Sequence, residues 1–131
     1  MSKKILMELV KDLSKTKIKS IAFTGGGEPT INPNLKEAIN YLRENSKIDL
    51  GMYSNGTNFE RFDLFETIVR SLTWIRVSID AGNPKSYDDL RVTNKKNNLE
   101  NWRAQYKNWK GYTPLVWGDF LSLKIQHKLN N

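Results

Sequence analysis

A chain of 131 residues with 21 Lys and Arg against 14 Asp and Glu, a formal charge of +7, is one domain's worth of basic protein. Its apolar residues, 38% of the total, nowhere form the run of ~20 that a membrane-spanning helix needs. Zero cysteines exclude disulfides, thiolate metal sites and cysteine nucleophiles, and the single histidine, His127, leaves zinc sites and histidine triads almost nothing to be built from.

The opening "MSKKILMELVKDLSK" sets basic residues ahead of apolar ones, but Glu8, Lys11 and Asp12 interrupt any signal-peptide core, so a cytoplasmic protein is expected. Ile5, Leu6, Leu9, Val10 and Leu13 recur at helical spacing and predict a first amphipathic helix. In "KSIAF", Ile21 and Phe23 alternate with Ala22 and Thr24, a short strand that stops at Gly25. Asn32 followed by Pro33 reads as a cap and first turn, and Leu35, Ala38, Ile39 and Leu42 continue as a second helix. Ile48, Leu50 and Met52 alternate into a second strand that breaks at "SNGT", residues 54–57. Phe65, Ile68, Val69 and Leu72 predict a third helix, and Ile75, Val77 and Ile79 a third strand ending at Asp80, Ala81 and Gly82.

Strands separated by helices of this length are βαβ units, which build a parallel sheet through right-handed crossovers. Ligands bind at the carboxyl ends of such strands, so the loops "TGGGEPT", "SNGT" and "SIDAG" are expected to converge. Arg76, Ser78 and Asp80 alternate with the apolar residues of the third strand and share its other face. Polar residues there suit the concave interior of a barrel or partial barrel better than a flat sheet covered on both sides.

Gly27 is followed by Glu28 and Pro29, not by Lys and Ser or Thr, which excludes a Walker loop. Thr30 stands where a dinucleotide fingerprint needs its third small residue. Two readings of Gly25, Gly26 and Gly27 stay open: a tight strand-to-helix turn, or bare backbone whose carbonyls accept from a ligand ammonium group, with the Glu28 charge beside it. Asn55 and Gly56 make a common turn dipeptide. Ser78 and Asp80, if inward, need partners or a ligand, while Arg91 can simply pair with Asp88 or Asp89.

Taken together, "FTGGGEPTINPNLKEAINYL", "YSNGT" and "WIRVSIDAGNPKSYDDLR" resemble the radical S-adenosylmethionine (radical SAM) enzymes over roughly residues 5–100. The resemblance implies an α/β fold, a partial (β/α) barrel with parallel strands whose N-terminal strand and late strands are missing. It implies S-adenosylmethionine as cofactor, with Gly26, Gly27 and Glu28 at its amino group and Thr24 and Gly25 nearby. Asn55, between Ser54 and Gly56, matches the turn after the family's third strand. Ser78 and Asp80 match the segment along the ribose and methionine, and Arg91 stands where an arginine can hold the cofactor carboxylate.

The departure from that pattern is the iron–sulfur chemistry. The family's [4Fe-4S] cluster is held by three cysteines in a Cys-x3-Cys-x2-Cys loop, and thiolates are the usual cluster ligands; this chain has none. The resemblance therefore implies a fragment that contributes cofactor-binding loops and is inert alone, because the sulfonium C–S bond is not reductively split without an electron from the cluster. No catalytic residue and no metal ligand is assigned.

Residues 101–131 are set apart from the partial barrel of residues 1–100 as an atypical tail, divergent or out of frame, that holds three of the four tryptophans. Within it, Leu121, Leu123 and Ile125 suggest one short strand, and Trp102, Tyr106 and Trp109 a helical stripe. A sheet without its outer strands exposes both edges, and self-association through them is expected. Lys3, Lys4, Lys15, Lys17, Lys19, Lys36, Lys47, Lys95 and Lys96 are spread along the chain, which argues against a nucleic-acid stripe. The alternative function is a non-catalytic basic module that binds RNA or a protein partner. A third is a different barrel enzyme using Glu28 and Asp80 as an acid/base or magnesium pair. Nothing in the sequence specifies a substrate.

Overall fold

The computed structural model describes residues 1–56, 58–78, 113–117 and 120–124, the last two stretches as strand backbone. In chain order they form α1 (Lys3–Ser14), β1 (Ser20–Phe23), a 3-10 turn (Pro29–Ile31), α2 (Leu35–Asn45), β2 (Asp49–Ser54), a second 3-10 turn (Arg61–Asp63), α3 (Leu64–Ser71), β3 (Trp74–Ser78), β4 (Thr113–Trp117) and β5 (Phe120–Lys124).

The expected α/β architecture is present. β1 pairs parallel to β2, with Phe23 opposite Met52, and β2 pairs parallel to β3, with Ser54 opposite Val77. α2 and α3 are the crossovers, so two βαβ units run in succession as the periodicity predicts. The sheet is open, in the order β1-β2-β3-β5-β4.

The far side of β3 differs from expectation. There β5 adds antiparallel, with Arg76 opposite Ser122, and β4 pairs antiparallel to β5, with Trp117 opposite Phe120. Where the sequence suggests one late strand and an exposed edge, two strands cover β3. An antiparallel pair needs only a two-residue connection, not a crossover helix, so so short a segment suffices. Pro114, which has no N–H to give a ladder, lies in the outermost strand, β4. Ile79, Ile125 and the Trp102, Tyr106 and Trp109 stripe lie outside the described residues.

The core sits between one face of the sheet and the helices. Leu50 and Met52 of β2 and Ile75 and Val77 of β3 are buried with Ala38, Ile39 and Leu42 of α2 and Leu64 and Ile68 of α3. Apart from Ala38, each such side chain contributes about 1.5–3 kcal/mol on leaving water. The opposite face carries Gly51, Tyr53, Trp74 and Arg76. The Tyr53 and Trp74 rings meet edge to face, 5.2 Å apart at 77°, and the Arg76 guanidinium stands 5.9 Å from the Tyr53 ring. A Cβ on Gly51 would collide with the Trp74 indole, so glycine here makes room for that ring.

Two local expectations shift. Of the apolar residues on α1, Leu6 and Val10 are buried, but Ile5 and Leu9 are 57% and 44% exposed. The helix packs along α2, and β1, the first strand of the sheet, has no second strand partner among the described residues. An apolar cavity of about 240 Å³, lined by Leu9, Leu13, Ile21 and Phe23 among others, lies between α1 and β1. Asn32 and Pro33 do not start α2, whose cap position is Asn34. Asn32 instead uses its side-chain oxygen to accept the Asn34 N–H at 3.0 Å, a turn inserted because Pro29 already opens a short helix of its own.

Candidate functional site

Because β1, β2 and β3 run parallel, Phe23, Ser54 and Ser78 finish at the same end of the sheet. The turns that follow β1 and β2 meet there. Ser78, half-buried, ends β3 at that end as well. Asp80 and Arg91 lie outside the described residues, so the third loop and the arginine are not placed.

Gly25, Gly26 and Gly27 are all exposed. Only Gly56 among the described glycines has a positive φ, at 74°. A Cβ built on any of the three would meet nothing within 4 Å. Neither the backbone angles nor crowding by the fold therefore requires glycine at these positions. Gly56 is the opposite case: its φ lies in the region only glycine enters readily, and its N–H donates to Ser54 Oγ at 3.0 Å. The turn reading thus suits Asn55 and Gly56, and open backbone suits residues 25–27.

Glu28 joins the two turns. Its extended backbone places it at the cap of the turn Pro29–Ile31. Oε1 accepts the Thr30 N–H at 3.2 Å, the Thr30 hydroxyl at 2.6 Å and the Ser54 hydroxyl at 2.7 Å. Oε2 accepts the Asn55 N–H at 2.7 Å. Hydrogen bonds to an ionised acceptor are the strong kind, and Thr30 and Ser54 are respectively fully and almost fully buried. The sequence marks Ser54 only as part of the Ser54-Asn55-Gly56 turn match and does not mark Thr30 as a site residue. The available signal was a hydroxyl two residues after a carboxylate, a spacing suited to a local side-chain turn.

The donor set bears on the chemistry. With both carboxylate oxygens engaged by internal donors, Glu28 gains no support as half of an acid/base or magnesium pair. Among the described residues no three His, Cys, Asp or Glu side chains group as metal ligands, and the chain contains no cysteine. Its donors do not fit a [4Fe-4S] cluster. Exposed glycine backbone beside a hydrogen-bonded turn leaves room for a small polar ligand. No helix among the described residues is long and apolar enough to cross a membrane.

In comparison with known families, the model of the radical SAM superfamily matches residues 1–116. No curated protein and no solved structure gives a significant match.

Proposed function

Since the chain belongs to the radical SAM superfamily, we propose that it supplies the S-adenosylmethionine-binding loops of a radical SAM domain and is inactive by itself. The observation that carries this reading is the state of Gly25, Gly26 and Gly27, which lie open at the carboxyl end of β1 although nothing within the fold needs them to be glycine. Bare backbone of this kind lets a ligand come within contact of peptide carbonyls.

When bound, S-adenosylmethionine supplies a sulfonium centre. The carbonyls of residues 25–27 would accept from its ammonium group, and the Asn55 turn and Ser78 would border it. By family resemblance Asp80 would line its ribose and methionine side and Arg91 would take its carboxylate. The chain has no cysteine, so the thiolates of a cluster would come from outside these 131 residues.

A second reading rests on a separate observation. Tyr53, Trp74 and Arg76 stand together on the face opposite the core, which no described helix covers, and aromatic residues with a guanidinium are the elements of a single-strand RNA platform. Calorimetric titration of the chain with S-adenosylmethionine, set beside titration with single-stranded RNA at two salt concentrations, separates the two. The proposal expects saturable binding of the nucleoside and weak RNA binding that collapses with salt. Salt-resistant RNA binding without a heat for the nucleoside would favour the second reading.

A further inference from the structure

We propose that the Glu28 carboxylate is a positioning group, a strut that sets the distance between the open glycine segment and the Asn55–Gly56 turn, so that the ligand surface of one depends on the other. The inference rests on the reading of these loops as a nucleoside site, and it concerns what holds that site in shape.

A carboxylate offers about four lone-pair directions. Here four donors engage it: the N–H and hydroxyl of Thr30 and the hydroxyl of Ser54 on Oε1, and the N–H of Asn55 on Oε2. Two of the four come from the segment after β1 and two from the end of β2, 26 and 27 positions further along the chain. The bond set is therefore divided evenly across the gap. The carboxylate is thus committed to holding the two turns, whereas the backbone of residues 25–27 is exposed.

The hydroxyls fix the direction of the strut. The Ser54 proton is spent on Glu28 while its oxygen accepts the Gly56 N–H, so one atom ties the carboxylate to the left-handed turn. Thr30, fully buried, grips the same carboxylate oxygen from the other side at 2.6 Å. Residues 24–27 are exposed and run from the parallel ladder that ends at Phe23 to Glu28, with no hydrogen bond from another described residue between. Their geometry is accordingly set by the strand end on one side and by this carboxylate on the other.

Glutamine is nearly the same size but cannot replace the group. An amide oxygen in place of Oε1 keeps Thr30 and Ser54, but the NH₂ then faces the Asn55 N–H, donor against donor, and that bond is lost. Aspartate is one methylene short of spanning it.

The test uses the full chain and two readouts. The first needs no ligand: hydrogen exchange of the Asn55 amide, followed by NMR in wild type, Glu28→Gln, Thr30→Val and Thr30→Ser. The second is the affinity of the same proteins for S-adenosylmethionine, measured well below their melting temperatures so that only folded protein is compared. Glu28→Gln should speed Asn55 exchange and weaken the nucleoside, each by about tenfold or more. Thr30→Ser, which keeps the hydroxyl, should restore both toward wild type, and Thr30→Val should fall between. A role in stability alone would lower the melting temperature without touching the affinity of the folded protein. If Glu28→Gln fails to fold, Ser54→Ala, which removes one bond of the four, carries the same comparison at smaller size. Unchanged Asn55 exchange, or unchanged affinity in a folded variant, overturns the strut. A wild-type chain that ignores the nucleoside overturns the proposed function instead, and Asn55 exchange still decides the strut.

Discussion

Glu28 Oε2 accepts the backbone N–H of Asn55 at 2.7 Å, joining the turn after β1 to the turn after β2 across 27 positions of sequence. Parallel strands bring these turns to one end of the sheet, but pairing alone leaves their separation free. The carboxylate removes that freedom. Four consequences of the fold and of this arrangement can be measured.

The two kinds of glycine should respond oppositely to alanine. Gly25→Ala, Gly26→Ala and Gly27→Ala introduce a Cβ into open space and should leave stability within about 0.5 kcal/mol of wild type while weakening S-adenosylmethionine. Gly56→Ala forces a side chain into a left-handed conformation and should lose about 1–2 kcal/mol. Urea unfolding of the four variants, with nucleoside titration of those that stay folded, checks both halves.

Gly51 and Trp74 should behave as a coupled pair. Gly51→Ala drives a methyl into the indole and should destabilise by about 1–3 kcal/mol. In a Trp74→Leu background the same change should lose much less, and the shortfall in a double-mutant cycle measures the contact. Strictly additive losses would mean that the ring does not occupy that space.

The open edge should promote association. β1 lacks an outer strand among the described residues, and Ile5 and Leu9 expose apolar surface on α1. Sedimentation velocity should show concentration-dependent self-association of wild type, reduced in Ile5→Lys with Leu9→Lys at little change in stability. A wild-type chain that stays monomeric at every concentration contradicts this.

Asp63 occupies a left-handed position, with φ 52°, at the start of α3, and its side chain makes no cap hydrogen bond there. Asp63→Gly relieves the backbone while giving up only the exposed 3.8 Å ion pair with Lys36. A gain of up to about 1 kcal/mol in unfolding free energy is expected, and a loss of that size would show the aspartate to be favoured by contacts other than these.

Much of this was legible in the sequence where local pattern decides structure. Leu35, Ala38, Ile39 and Leu42 announce the buried side of α2, and Leu50, Met52, Ile75 and Val77 the core side of two strands, because periodic burial follows from backbone geometry. What a pattern does not say is which neighbour covers which edge. Ile5 and Leu9 fit the helical period of α1 yet stay exposed, since no described strand lies outside β1. The alternation of Leu121 and Leu123 announces β5, whereas "TPLVW" carries no such alternation and leaves β4 unannounced, although the Gly118-Asp119 dipeptide between them is a turn signal in the sequence. The motif glycines and the Asn55–Gly56 turn were visible as residues, and their different reasons for being glycine emerge only from φ and from the surrounding space. The link from Glu28 to Thr30, Ser54 and Asn55 is partly long-range, which no spacing within one motif reveals.

The most direct measurement is amide chemical-shift mapping of the isotope-labelled chain during titration with S-adenosylmethionine. The account predicts saturable shifts at residues 25–27, at Asn55 and Gly56 and at Ser78, with the amides of α1 unmoved. Saturation with those loop amides unmoved, or no saturable change anywhere, would contradict it.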